Sequence, residues 1–333
     1  MNQENIRQRQ LQALENEIVA SCAIEGEILN RDSVKASIGK RLSIEKTNNY
    51  QKNELTDNYV DILIDANTNY DKNLTLDRIF SWHHAMFPKG YSGLMKIDVA
   101  VFRGEKTMQI VSGSSFKEKV YYQAPPRDIL ESEMDRYLLW FNNTKSSLLK
   151  ASIAHLWFVI IHPLDDGNGR ITRAITDMVL SEIENSKISR LYSMSNTINS
   201  DRKAYYNALE NTTGYLYKEK PMDITYWCKW FLETLYESLI ETKSLMDEIV
   251  IKTNFWDKHK DSDLNSRQTK VLNKILDMGV GNFKGGLSKQ KYIKIADTTS
   301  TTASRDIKEL LEKKCIKQTN KGQSKNIRYV ILV

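Results

Sequence analysis

The chain has 333 residues, 41% hydrophobic and 27% charged, with five Pro and fourteen Gly. That composition excludes a collagenous or wholly disordered polymer and is enough for two or three folded units. The net charge of +6 is uneven: residues 265–333 carry fifteen Lys/Arg against five Asp/Glu, leaving residues 1–264 at −4, so any nucleic-acid contact is expected near the C-terminus.

Cys22, Cys228 and Cys315 have no CxxC spacing, which argues against a disulfide framework or a thiolate metal site. The opening "MNQENIRQRQLQ" lacks an apolar h-region, and no apolar run is long enough to span a bilayer. A cytoplasmic protein without membrane association is the expectation.

Residues 3–25 show helical spacing that ends near Gly26, and "NRDSVKASIGKRL" predicts a short second helix capped by Asn30 or Asp32. Amphipathic helices are expected at 75–87, "TLDRIFSWHHAMF", and at 126–142. Between them, "IDVAVFRGEKTMQIVSG" (97–113) alternates and is interrupted by "RGEK", which predicts a hairpin. Helices are expected on both sides of "HPLDDGNGRITR" (162–173), then at 202–212 and 222–250. A charged stretch at 256–267 precedes three short helical patterns and two terminal strands, the order of a winged helix-turn-helix; a basic helical cap with a terminal hairpin is the alternative.

The chemistry concentrates in residues 162–173. Pro163 is poorly tolerated inside a helix, so His162 should stand at a helix end, open to a site above. The N–H groups of the "GNGR" turn and of the helix that follows form a concave anion site, pointing to a phosphate chain. Asp166 can hold a divalent ion, Arg170 and Arg173 share a helix face and suit phosphate oxygens, and His162 is free to act as a base. No "GK[ST]" follows, which excludes a P-loop, and one His beside two carboxylates makes a poor zinc site. The plainer reading has Asp165, Asp166 and Asn168 capping a helix, with the arginines in solvent.

"HPLDDGNGRITR" resembles the signature of Fic-domain proteins, with Leu164 in place of the usual Phe. The resemblance implies a mainly α Fic-type domain with a β-hairpin flap, followed by a small winged-helix domain. The expected organisation is an N-terminal helical region (1–70), a catalytic domain (71–255) and the winged helix (265–333). The implied activity is transfer of AMP from ATP to a protein Ser, Thr or Tyr hydroxyl. His162 would be the base and Asp166 the Mg²⁺ ligand. Gly167, Asn168 and Gly169 would hold the α-phosphoryl group, Arg170 would contact the phosphate chain, and Arg173 would engage the γ-phosphate.

The resemblance also implies that Thr107, Met108, Gln109, Ile110 and Val111 form a flap that aligns the target peptide. Tyr205 and Tyr206 would line the adenine and ribose pocket, although aromatic pairs in helices are commonly core residues. "SCAIEG" is similar to the family's inhibitory motif, with Ser21 and Glu25 acting on Arg173. The implied partners are a protein substrate, the chain itself being one candidate, and another copy of the chain in a homo-oligomer. DNA is a further candidate partner, at residues 265–333, where "TTASRDIKELLEKK" would be the recognition helix and "TNKGQSKNI" the wing. The alternatives are a nucleotide-sensing transcription regulator, and a Fic enzyme that uses another phosphate-containing donor or removes AMP.

Overall fold

A computed structural model describes residues 3–42, 53–112, 119–185, 190–214, 222–280, 283–319 and 327–333. The chain divides into two compact units, one over Ile6–Ile240 and the other over Glu241–Val333 together with the first residues up to Asn5. Among the described residues no helix is long and apolar enough to cross a membrane.

The first unit opens with α1 (Gln3–Ile24), α2 (Arg31–Arg41), α3 (Glu54–Thr68) and α4 (Leu76–Met86). Short polar side chains start the helices by accepting from otherwise orphaned N–H groups: Asn30 Oδ1 from Ser33 at 3.0 Å, and Thr75 Oγ1 from Arg78 at 3.2 Å. Gly26, at φ +83°, turns the chain between α1 and α2 in a conformation that L side chains rarely adopt.

Two small hairpins follow. β1 (Tyr91–Ser92) pairs with β2 (Met95–Lys96), and β3 (Gln109–Ser112) pairs antiparallel with β4 (Lys119–Gln123), with a bulge between Ile110 and Val111. The hairpin expected within 97–113 is therefore corrected: residues 97–106 form no strand, and the partner of "QIVS" is "KVYYQ". "RGEK" is not its turn, because Arg103 is buried and its hydrogen bonds run to distant carbonyls.

After a 3-10 turn at Arg127–Ile129 come α5 (Leu130–Asn143), α6 (Leu148–Ile161), α7 (Asn168–Glu184), α8 (Met194–Ser200) and α9 (Arg202–Thr213). Next comes α10 (Thr225–Lys258), which belongs to this unit as far as Ile240. α6 is apolar on nearly every face and packs along α7, which also meets α3 and α4. Phe158, Ile161, Ile171 and Ile175, all fully buried, lie in the core of this unit.

The second unit holds α11 (Ser266–Asp277), α12 (Lys289–Ala296), α13 (Ser300–Glu312) and an antiparallel pair, β5 (Ile316–Gln318) with β6 (Tyr329–Ile331). Leu287 bridges to Tyr329, adding a third short strand position. This order is that of a small winged-helix domain. Its core includes Phe255, Leu272, Tyr292, Ile307 and Ile331, with Trp256 and Leu264 from the charged stretch packed against it. Asp306 is fully buried and accepts from Arg267 Nε at 2.9 Å and the Tyr292 hydroxyl at 3.0 Å, tying all three helices together. Within the expected wing, residues 320–326 lie outside the described residues.

Candidate active site

The turn between α6 and α7 forms the floor of the site. His162 ends α6 in the left-handed region, at φ 49° and ψ 57°, while its N–H still donates to Phe158 O at 3.0 Å. Pro163 cannot continue the helix. Leu164 is fully buried and anchors the loop. The Asn168 amide closes it: Oδ1 accepts from Leu164 N–H at 3.0 Å, and Nδ2 donates to Leu164 O at 2.7 Å. That side chain thus shapes the loop, while the first N–H groups of α7 lack helical partners and face the turn. Gly167 takes φ +78°, and a Cβ there would meet Phe87 Cε2 at 3.0 Å and Met86 Sδ at 3.1 Å.

His162 Nδ1 lies 3.2 Å from Val159 O, which assigns the proton to Nδ1 and leaves Nε2 as an acceptor. Burial pushes the imidazole pKa down to about 4, and the Arg103 charge acts in the same direction; Val159 O, Glu25 and Asp166 oppose them. The ring is therefore neutral at pH 7. His83, fully buried, accepts from Ala100 N–H through Nδ1 at 3.1 Å, and burial lowers its pKa to about 4 as well.

The two carboxylates are held differently. Asp165 Oδ2 accepts from Asp98 N–H at 2.8 Å. Asp166 Oδ1 accepts from Gly167 N–H at 2.6 Å, its Oδ2 from the Ser92 hydroxyl, and its side chain is 39% exposed. Among the described residues no group of three or more His, Cys, Asp or Glu could cage a metal ion. One accessible carboxylate suits Mg²⁺, which keeps several waters and takes its remaining ligands from substrate phosphates.

Both arginines are turned inward rather than into solvent, against the chain's N-terminal segment. Arg173 is 3% exposed; it donates from Nε to Ser21 Oγ at 2.8 Å, and from Nη2 to Ser21 O at 2.8 Å and to Glu25 Oε1 at 2.7 Å. Burial is the largest influence and opposes its charge, but Glu25, with Tyr205 and Tyr206, together more than offset it and raise its pKa. Glu25 also covers Gly169, where a Cβ would come within 2.1 Å of Glu25 Oε1. The buried Arg173 Nη1 and Arg170 Nε have no acceptor among the described residues.

Arg170 reveals a partner that sequence reasoning missed. Its Nη1 donates to Glu27 Oε2 at 2.5 Å and to the Tyr59 hydroxyl, its Nη2 reaches Asp166 Oδ1 at 3.5 Å, and its plane lies against the Tyr59 and Phe87 rings. Glu25 and Glu27, separated by Gly26, thus grip two arginines one helical turn apart. The repeated acid in "EGE" was the available signal. α1 is secured from behind by Glu17, buried, which accepts from Ser193 Oγ at 2.7 Å, Ser195 N–H at 3.1 Å and the Ser195 hydroxyl.

The two tyrosines separate. Tyr205 is buried; its hydroxyl lies 3.3 Å from His155 Nε2 and its ring packs against Trp227 and Trp230. Tyr206 is half-buried, stacks on Tyr121 of β4 with centroids 5.2 Å apart, and feels the charges of Glu25 and Arg173. In the flap, Ile110 faces the core at 8% exposure and Val111 faces outward at 38%. Thr107 and Met108 precede the strand, with Met108 O accepting from Ala124 N–H at 2.9 Å.

Comparison with known proteins finds relatives of the fold. Residues 73–180 match the Fic/DOC family, and residues 1–44 match a domain of unknown function, DUF4172. A Fic family protein from Desulfovibrio desulfuricans G20 is 19% identical with a TM-score of 0.52, covering 99% of this chain and 88% of its own. A Fic domain containing signaling protein from Bacteroides thetaiotaomicron VPI-5482 is 16% identical with a TM-score of 0.51, covering 73% of this chain and 88% of its own. Likeness at these identities establishes a shared fold.

Proposed function

We propose that this chain, which carries a Fic/DOC-family domain over residues 73–180, transfers AMP from ATP to a Ser, Thr or Tyr hydroxyl of a protein and is restrained by its own Glu25–Arg173 pair. The observation that carries the reading is the pair of buried arginines with unused donors, at the N-terminus of α7 and one turn from a neutral histidine. Buried cations with spare N–H groups favour an anion with several oxygens, and phosphate supplies them.

In this reading His162 Nε2 takes the proton of the acceptor hydroxyl. The hydroxyl oxygen bonds to the α-phosphorus as the bond to the pyrophosphate oxygen breaks, and pyrophosphate leaves. The N–H groups of Asn168 and Gly169 would face the α-phosphoryl oxygens, while Gly167, its N–H held on Asp166 Oδ1, and the Asn168 side chain keep that turn in shape. Arg170 and Arg173 hold the β- and γ-phosphates once Glu25 withdraws. Asp166 would hold Mg²⁺, which supplies charge neutralisation on the phosphate chain when bound. Tyr206, stacked on Tyr121, lines the nucleoside side, while Tyr205 supports it from the core. The outward edge of β3, with Gln109 and Val111, aligns the target backbone.

The test is intact-mass analysis of the chain and of candidate targets after incubation with ATP and Mg²⁺. A gain of one AMP moiety that disappears in His162→Ala supports the reading, and a gain of phosphate alone contradicts it.

A second activity is proposed for the winged-helix unit, from the exposed Ser300, Thr301, Ser304 and Arg305 at the start of α13. Duplex DNA would meet that face, as in a nucleotide-sensing regulator. The full chain should bind duplex with an affinity that falls steeply as salt rises and is weakened by Arg305→Glu. Equal binding by the variant removes α13 from the contact.

A further inference from the structure

Arg103 stands in the segment before β3, and its side chain is one of the largest fully buried in the protein, at 2% exposure. Among the described residues no carboxylate forms an ion pair with it. Its polar atoms go instead to the backbone around the proposed base. Nε donates to His162 O at 2.8 Å, its own backbone N–H donates to Pro163 O at 2.9 Å, and Nη2 donates to Pro125 O just beyond β4.

A buried guanidinium with no ion-pair partner is costly: burial depresses its pKa, the Arg127 charge adds to that, and the Asp165 carboxylate offsets it only in part. Neutral carbonyls offset that cost only in part, so the arrangement calls for a role beyond packing. The turn it holds also has a cost of its own: His162, not a glycine, is left-handed at φ 49°. Fixing the carbonyls of residues 162 and 163 restricts the peptide plane that follows His162 and the next one along the loop, and with them the turn that sets where the imidazole points. The third carbonyl belongs to the strand end that leads out of the flap.

We propose that Arg103 is a positioning residue for His162: it locks the left-handed turn that carries the base and ties it to the end of β4, so that base and peptide-aligning hairpin keep one register. The inference rests on the AMP-transfer reading for what the base does, but not for the coupling itself. Around the ring, the charged groups are Arg103 from the segment before β3, Glu25 from the α1 end and Asp166 from the loop. Arg103 is the one cation among them. It therefore serves geometry and charge together, favouring the neutral imidazole with Nε2 free.

Lys is not equivalent here. A single ammonium cannot span two carbonyls that belong to distant parts of the chain as the planar guanidinium does.

The test uses the full chain with Arg103→Met and Arg103→Lys, reading the His162 ring nitrogens by NMR across pH and, separately, AMP transfer. Arg103→Met should raise the pH at which His162 takes its proton and blur the Nδ1–H tautomer. It should also lower kcat by about 10²-fold, the scale of a misplaced group, with little change in KM for ATP. Arg103→Lys should keep the low protonation pH but still lose kcat. If Arg103→Met does not fold, Arg103→Lys carries the test through its kcat and its tautomer.

Wild-type ring signals and kcat in either folded variant would overturn the proposal. So would a variant that is merely less heat-stable, with titration and tautomer intact. Absence of AMP transfer in every form, with the ring signals shifted as expected, would instead remove the proposed activity and leave the coupling standing.

Discussion

Replacing Glu25 with glycine removes the carboxylate that accepts from Arg173 Nη2 at 2.7 Å and covers Gly169. Arg173 is 3% exposed and Glu25 30%, so the pair is partly screened and lies well below the value of a dry ion pair. A charged hydrogen bond in such a setting contributes about 1–3 kcal/mol. Ser21 still accepts from Nε and Nη2, so the guanidinium stays in place without its counter-charge. An incoming phosphate then meets a free cation and an open space, and productive ATP binding should rise by roughly 10–100-fold. Folding stability should fall by a similar 1–3 kcal/mol, since the new glycine also loosens the unfolded chain. The assay incubates wild type, Glu25→Gly and Glu25→Gly/Arg173→Ala with labelled ATP and Mg²⁺ and follows protein-bound AMP beside nucleotide affinity. Equal affinity and rate in wild type and the single variant, both folded, would refute the brake; full activity of the double variant would refute the role of Arg173.

Glu27→Gln keeps a hydrogen-bonding group beside Arg170 but removes the charge, so nucleotide affinity should rise about 3–10-fold, less than with Glu25→Gly because Tyr59 and Asp166 still engage that arginine. Isothermal titration of both single variants and the double variant should show non-additivity, because the two residues share one turn. Asp166→Ala should leave metal-free nucleotide binding nearly intact and abolish the gain from Mg²⁺; an unchanged gain would assign Asp166 to loop capping alone. Stability should also fall in acid. Burial holds His83 near about 4 and His155 near about 3, against an ordinary value of 6.5, so as pH falls the unfolded chain takes protons first. Their contribution is present above about pH 6.5 and is lost as pH falls toward 4 for His83 and 3 for His155, on the order of 3 and 5 kcal/mol. Asp177, pushed up to about 7 by burial, works in the opposite direction throughout that window: the folded chain takes this proton first, which adds stability as pH falls from about 7 to the ordinary 3.8. Urea unfolding at pH 7.5 and 5.0 measures the balance, and an NMR titration in which either ring is protonated at pH 6 in the folded chain would mean that these imidazoles are not held neutral.

Much of the site was legible because its groups are neighbours in the chain. Residues 162–173 bring a histidine, two carboxylates, a glycine-framed turn and two arginines together whatever the rest of the fold does, and Pro163 ends the helix below them. Helix starts at Asn30 and Thr75 and the turn at Gly26 are equally local, since a cap needs only an N–H three residues on and a left-handed φ needs only a missing Cβ.

Partner choice across long separations was not legible in that way. Glu27 meets Arg170 from 143 residues away, and Arg103 meets His162 from 59. A sequence states that buried polar groups must find partners, but helix and loop packing decides which ones they find. The same cause explains Tyr205 and Tyr206, adjacent in sequence yet one sealed by Trp227 and the other stacked at the site. It explains the hairpin as well, because alternation marks a strand without naming its partner: β3 pairs with β4, while Arg103 is buried and residues 97–106 form no strand. The chain's order therefore determined the chemical inventory of the site, and tertiary packing decided which of its charges are free, because only packing sets who shares a low-dielectric interior with whom.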